Sequence, residues 1–128
     1  MRADEHLLLA LSQADAEFSL AVQMGDVEAE LQANRRFHFT LYEAAQSPTL
    51  LSMIRSLWLQ SGPYVRVAVA HHRPEQGAPR TLHHHGLMQA MADRDAQSAR
   101  RELEADLDWA WRLMQDKVGP HVEVSGVV

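Results

Sequence analysis

Residues 26–48, which read DVEAELQANRRFHFTLYEAAQSP, contain the signals that decide the fold. The stretch opens on Asp26, a residue type that caps helix N-termini because its carboxylate accepts hydrogen bonds from the first free backbone N–H groups. It closes on Ser47-Pro48, a second N-cap followed by proline at the first position of the next helix. The stretch therefore predicts one helix from Asp26 to about Ala45 and the start of another at Pro48.

Apolar residues recur at three- and four-residue steps through most of the remaining chain, which is the spacing of one helix face. Val65, Val67 and Val69 alternate as in a strand, but a lone strand would leave its backbone groups unpaired, so we predict helix there as well. The other predicted segments are helices over Asp4–Gln23, Pro48–Gln60, Tyr64–Ala70, Thr81–Ala92 and Asp95–Lys117, with a break or kink at Gly62-Pro63 and a loop over His71–Arg80. We therefore predict an all-α antiparallel bundle of about six helices over residues 1–118, followed by a flexible tail over 119–128.

The composition is that of one soluble domain. The 128 residues carry a formal charge of −5, and 46% of them are hydrophobic, which suffices for a packed core. No basic stripe is present, so these residues are not expected to bind a nucleic-acid backbone directly. Neither a membrane-spanning apolar run nor a signal peptide is present, which predicts a cytoplasmic protein with no membrane partner. Because the chain has no cysteine, any metal site must use nitrogen and oxygen ligands.

Four polar side chains fall on helix faces that are predicted to point inward. Asn34 and His38 are four residues apart on the helix that starts at Asp26, while His84 and Asp106 lie in phase with the apolar stripes of the last two helices. A buried carboxylate needs a cation or a hydrogen-bond donor, and histidine with oxygen ligands suits zinc, nickel, manganese or iron. The spacing allows a divalent metal at these four residues. It also allows hydrogen-bonded core histidines, with Asp106 paired to an arginine.

The same residues resemble the motifs of a known family, the FCD effector-binding domain of the FadR subfamily of GntR transcription regulators. Residues 34–38, NRRFH, are similar to the family's D-x-x-F-H motif, and Ser47-Pro48 stands where the family has its turn. His84–Asp95 resembles the family's H-x-x-(hydrophobic)-x-x-A-x-x-x-x-D segment, and Asp106-Leu107 stands where a His-Leu pair usually follows. The resemblance covers about residues 14–114. It implies a helical bundle that holds a metal beside a pocket for small organic acids, and a homodimer that binds operator DNA through an N-terminal winged helix-turn-helix.

This sequence departs from the family pattern at three points. Asn34 replaces the family's aspartate, Asp106 replaces its last histidine, and the DNA-binding domain is absent from the chain. The family's opening helix is also shortened or missing, so the chain is expected to be a fragment. One carboxylate is lost and another gained, so a metal at Asn34, His38, His84 and Asp106 would still have one anionic ligand.

A carboxylate effector would need positively charged or donating groups besides the metal. Arg66 and Arg55 are the main candidates because arginine can bind a carboxylate through two parallel hydrogen bonds. Arg66 is favoured because its valine-rich segment is predicted to be buried, and Tyr64 is a further candidate for the pocket mouth.

These features predict a ligand-sensing and dimerisation domain, and no enzyme. The alternative is a small mononuclear metal-dependent hydrolase, for which Glu43 and Asp108 are the only candidate general bases. A third reading is a bare dimerisation module, with interface anchors at Trp58, Trp109 and Trp111.

Overall fold

The computed structural model describes residues 5–70 and 82–118. These residues form five α-helices and no strand, so the all-helical prediction is confirmed for this part of the chain. The helices are α1 (Glu5–Met24), α2 (Val27–Ala44), α3 (Pro48–Ala70), α4 (Leu82–Ala92) and α5 (Ala96–Val118). The predicted loop over His71–Arg80 and the predicted tail over 119–128 lie outside the described residues.

The count of about six helices is wrong for the described residues, because α3 continues through Gly62-Pro63 without ending. An interior proline removes one backbone hydrogen bond and crowds the preceding turn, but the backbone groups that follow can still be satisfied by continuing the helix. Continuation also buries Ala68 and Val69, which are 1% and 7% exposed. The two segments predicted on either side of Pro63 are therefore one helix of 23 residues.

The helix caps predicted at Asp26 and Ser47 are confirmed, and Asp95 caps α5 in the same way. Asp26 Oδ1 accepts from Ala29 N at 3.1 Å, and Asp95 Oδ1 accepts from Ser98 N at 3.1 Å. Ser47 Oγ accepts from Leu50 N at 3.4 Å, at the start of α3. Gly25 and Arg94 have positive φ in the short turns before α2 and α5, and α1 with α2 and α4 with α5 each pack as a helical hairpin.

The two hairpins enclose one apolar core, which α3 joins by packing on α5 and α2. The buried members come from three helices: Leu11 and Ala14 of α1, Phe37 and Leu41 of α2, and Leu87 and Met91 of α4. Among the described helices, none is long and apolar enough to cross a membrane. The core lies directly beside the polar residues described next.

Candidate metal and effector site

Three helices bring two histidines and one carboxylate together inside the bundle. His38 of α2 and His84 of α4 are 2% and 1% exposed, and Asp106 of α5 lies between them. Asp106 Oδ2 is 2.8 Å from His38 Nε2 and 3.6 Å from His84 Nε2. One ligand atom from each residue lies within 4.8 Å of the other two. His38, His84 and Asp106 therefore form a triad inside the bundle.

The other ring nitrogen of each histidine has its own partner. His38 Nδ1 is 3.3 Å from the hydroxyl oxygen of Tyr42, one turn further along α2. His84 Nδ1 is 3.1 Å from Oδ1 of Asp15, a residue of α1 that is 4% exposed. Both imidazoles therefore direct Nε2 towards Asp106, because Nδ1 is already engaged.

Aromatic rings hold the plane of His84. The ring of Phe37 stacks on the imidazole with centroids 4.0 Å apart and an interplanar angle of 12°. The ring centroid of Phe18 lies 4.9 Å from that of His84, and the two ring planes are tilted by 52°. His38 in turn contacts Trp58, with ring centroids 5.4 Å apart. The triad is thus built on packed core side chains, so its geometry is fixed by the fold.

The electrostatics of the triad favour an ionised carboxylate. Burial acts to raise the pKa of Asp106, but hydrogen bonds from His38 and His84 outweigh burial and hold that pKa well below its usual range. Burial acts to lower the pKa of His84, yet its interactions with Asp106 and Asp15 raise it. Burial, followed by the charge of Asp106, raises the pKa of Tyr42 to about 12. Tyr42 therefore keeps its proton at neutral pH.

The donor set fits a divalent metal ion. Two imidazole nitrogens and one carboxylate oxygen are ligands that zinc and similar ions accept, and a carboxylate that stays ionised when buried is ready to bind a cation. Metal-ligating histidines commonly bond their second ring nitrogen to a carboxylate or another oxygen, as both do here. Three of the four predicted ligands therefore converge. Asn34 lies one turn before His38 on the wall of the adjoining cavity, and its role as a ligand stays a prediction.

A cavity of about 160 Å³ opens beside the triad, and His38 and Asp106 form part of its wall. Its polar lining also includes Glu30, Asn34 and Ser61. The rest of the described lining is apolar or aromatic: Phe18, Leu31, Trp58, Val65, Ala68, Val69, Leu107, Trp109, Ala110, Leu113 and Met114. Among these described residues there is no lysine or arginine. An anion in the cavity would therefore take its positive charge from an ion at the triad, from a triad imidazole when it is protonated, or from residues outside the described ones.

The predicted effector residues are not part of the described cavity wall. Arg66 is paired with Glu28, and Arg55 NH2 lies 3.7 Å from Glu43 Oε1, in both cases with more than half of each side chain exposed. Tyr64 is 47% exposed. The prediction that Arg66 is buried is wrong. In this part of α3 the buried residues are Ala68 and Val69, and the side chain of Arg66 lies on another face of the helix. The roles of Arg66, Arg55 and Tyr64 in effector binding stay predictions.

Asp15, Glu30 and Tyr42 were not predicted as site residues, although helical spacing carried a signal for each. Asp15 is four residues after the buried Leu11, Glu30 is four before Asn34, and Tyr42 is four after His38. Asp15 and Glu30 are 4% and 5% exposed. Acidic residues at these positions suggest a solvent face or a favourable first turn, so burial could be read only from the assembled bundle.

Only the middle residue of the run His83-His84-His85 faces the core, as predicted. His83 Nδ1 lies 2.9 Å from Glu102 Oε2 on the flank. His85 is on the other flank with 59% of its side chain exposed, and its Nε2 lies 2.6 Å from Asp15 Oδ2. Because consecutive residues of a helix point in different directions, His84 faces the core while His83 and His85 lie on the two flanks.

Comparisons with known proteins agree with this architecture. The model of a protein family described as the FCD domain matches residues 1–108. The chain is similar to the HTH-type transcriptional regulator McbR of Escherichia coli (strain K12), with 26% identity over 96 residues, which are 75% of this chain and 43% of that protein. The chain thus spans less than half the length of this curated relative. No solved structure matches it.

Proposed function

Because the chain belongs to the FCD domain family, we propose that it is the sensing and dimerisation domain of a GntR-type transcription regulator of the FadR subfamily. In this proposal a small carboxylate effector binds at or near a metal ion held by the triad. Binding changes how the helices pack and thereby modulates DNA binding by a winged helix-turn-helix outside this chain. The protein would act in the cytoplasm as a homodimer.

The chain is a regulatory protein and not an enzyme, as its family and its regulator relative indicate. The positions of the candidate general bases agree with this. Glu43 is paired with Arg55, and Asp108 Oδ2 lies 2.9 Å from Arg112 Nε on the exposed side of α5. Neither residue belongs to the described lining of the cavity.

The convergence of His38, His84 and Asp106 from three helices is the observation that carries the proposal. These residues would hold the ion, and Asn34 is the fourth proposed ligand. When bound, the ion supplies a positive charge and an open coordination position for an oxygen of the effector. Tyr42 orients the imidazole of His38, while Phe37 and Phe18 exclude water from the side facing the core.

The cavity limits the size and chemistry of the effector. A cavity of about 150 Å³ accommodates benzene, so the 160 Å³ here suits an acid of about six non-hydrogen atoms. Its aromatic and aliphatic wall favours a compact carbon skeleton, and Asn34 and Ser61 can bond a hydroxyl or carbonyl of that skeleton. The absence of lysine and arginine from the described lining supports a role for the ion in binding the carboxylate.

Exposed apolar residues on α3 support the proposed homodimer. Large side chains recur there at steps of three, four and seven residues, namely Leu50, Met53, Leu57, Tyr64 and Val67, with exposed fractions between 43% and 63%. An apolar stripe of this kind commonly marks a protein–protein contact. The three tryptophans suggested as interface anchors lie in different places. Trp58 and Trp109 line the cavity, whereas Trp111 is 52% exposed.

Calorimetric titration of the purified chain with a panel of short organic acids tests the effector proposal. The protein is titrated with zinc or nickel present and again after chelation. We expect at least one acid to bind in the presence of metal and to lose most of its affinity after chelation. Binding that is unchanged by chelation would contradict the role of the ion, and no binding in either condition would contradict the sensing function.

A further inference from the structure

We propose that Asp15 is the positioning residue of the triad: its carboxylate fixes the orientation of His84 and so makes Nε2 of that ring available to a metal ion. The inference rests on the proposed function, since it assigns a role to a residue outside the predicted ligands. It adds a carboxylate from α1 to a site otherwise built on α2, α4 and α5.

The carboxylate of Asp15 is buried between α1 and α4. Its Oδ1 lies 3.1 Å from Nδ1 of His84, and its Oδ2 lies 2.6 Å from Nε2 of His85. Asp15 is 4% exposed and its inner partner His84 is 1% exposed, so water does not compete for the bond between them. A buried carboxylate is costly unless it is bonded on both oxygens, and here both oxygens have a histidine partner.

The aromatic contacts of His84 cannot select which ring nitrogen faces the metal site. Phe37 stacks on the imidazole at 12°, which fixes the ring plane. Rotating the ring by 180° about the Cβ–Cγ bond leaves that plane unchanged. It exchanges the position of Nδ1 with that of Cδ2, and the position of Nε2 with that of Cε1. Only a directional hydrogen bond distinguishes the two orientations. Asp15 provides it, because the bond from Nδ1 is satisfied in one orientation alone.

The contact also determines which nitrogen carries a proton when a metal is bound. A histidine ligand is neutral, so Nε2 bears the lone pair and Nδ1 bears the hydrogen. Donation from Nδ1–H to a carboxylate stabilises this form and strengthens the ligand nitrogen. Removal of such a partner commonly lowers metal affinity by about 10- to 100-fold.

Cobalt titration followed by visible absorption tests the inference with the whole chain. Variants are Asp15→Ala and Asp15→Asn, and the control is Glu17→Ala, which removes an exposed carboxylate from the same helix. We expect about 10- to 100-fold weaker binding for Asp15→Ala, a smaller loss for Asp15→Asn because its amide oxygen still accepts from Nδ1–H, and parental affinity for Glu17→Ala. Circular dichroism identifies any variant that fails to fold, and Asp15→Asn then decides the outcome.

Nuclear magnetic resonance of the ring protons provides a second readout that needs no metal. Burial protects the Nδ1 proton of His84 from exchange with water, and its hydrogen bond to the side chain of Asp15 moves its resonance downfield. We expect this resonance to disappear in Asp15→Ala, to move upfield in Asp15→Asn and to stay in place in Glu17→Ala. Parental cobalt affinity in both Asp15 variants together with an unchanged proton would overturn the inference. If the parent binds no cobalt, the proposed metal site fails, and the proton alone decides the role of Asp15.

Discussion

Nε2 of His38 and Oδ2 of Asp106 lie 2.8 Å apart, on two helices that are separated in sequence by two others. The carboxylate is held ionised by this contact and by His84, so the inside of the bundle contains a fixed negative charge next to two imidazoles. That arrangement connects stability to function, because the same atoms pair with one another and form the proposed binding site for an ion.

Replacing Asp106 with alanine should destabilise the domain as well as abolish metal binding. Its removal leaves the buried Nε2 atoms of His38 and His84 without their acceptor, which costs about 1–3 kcal/mol of unfolding free energy. Urea denaturation of the metal-free protein measures this loss. The control is Asp108→Ala, which removes an exposed carboxylate two residues away and should change the unfolding free energy by less than about 0.5 kcal/mol. Equal losses in the two variants would contradict the assigned role of Asp106.

Arg94→Gly should stabilise the domain. Arg94 lies in the turn two residues after the end of α4 and has φ at 57°, a left-handed conformation that is unfavourable for residues with a Cβ atom. Glycine relieves a strain of about 1 kcal/mol, and the capping bond from Asp95 N to Ala90 O at 2.8 Å is kept. Thermal unfolding measures the gain. Arg94→Ala keeps the Cβ atom and removes the charge, so a gain of the same size in that control would show that charge and not backbone strain was responsible.

Acid should weaken the start of α5 through Asp95. Hydrogen bonds from the side chain and backbone of Ser98 hold the pKa of Asp95 below its ordinary value of 3.8. A pKa that is lower in the folded state stabilises the fold above the unfolded-state pKa, and this contribution is lost as the pH falls through the folded pKa. The melting temperature of the parent should therefore fall more steeply than that of Asp95→Asn between about pH 5 and pH 2. Asparagine still caps the helix but does not titrate there, so parallel curves would contradict this assignment.

Filling the cavity should separate effector binding from metal binding. Ala110 lies on the cavity wall in α5, and leucine at this position would occupy space that the effector needs. We expect Ala110→Leu to lower effector affinity at least about tenfold while metal affinity stays within about twofold, because the ligand atoms are untouched. Calorimetry measures both affinities. Ala96→Leu, at an exposed position of the same helix, serves as the control and should change neither.

A charged residue in the exposed stripe of α3 should disrupt the proposed homodimer. Leu57 is 63% exposed in the single chain, and Leu57→Glu places a charge in the middle of the stripe. Sedimentation equilibrium should show the parent as a dimer and the variant as a monomer. Ser52→Glu introduces the same charge at an exposed polar position of the same helix that lies outside the stripe, and it is expected to weaken association less. A monomeric parent would contradict the dimer proposal.

Helical spacing predicted most of the fold and the centre of the site. Asp26 and Ser47 marked helix starts, and the phase of His84 with its apolar neighbours selected it from three consecutive histidines. The spacing could not show that α3 continues through Pro63. Continuation depends on whether the burial of Ala68 and Val69 outweighs the cost of a proline inside the helix, and that burial is seen only in the folded bundle. It also could not show that Asp15 is buried, because an acidic residue becomes an interior group only when another helix brings it a partner.

Elemental analysis of the purified chain tests the central claim most directly. The parent, His84→Gln and His83→Gln are prepared side by side, exposed to zinc and dialysed, and the metal bound per folded chain is measured. His83 is the matched control because it precedes His84 in the same helix but contacts Glu102 on the flank. We predict stoichiometric metal in the parent and in His83→Gln, and little or none in His84→Gln. The same metal content in all three proteins would contradict a site at His38, His84 and Asp106.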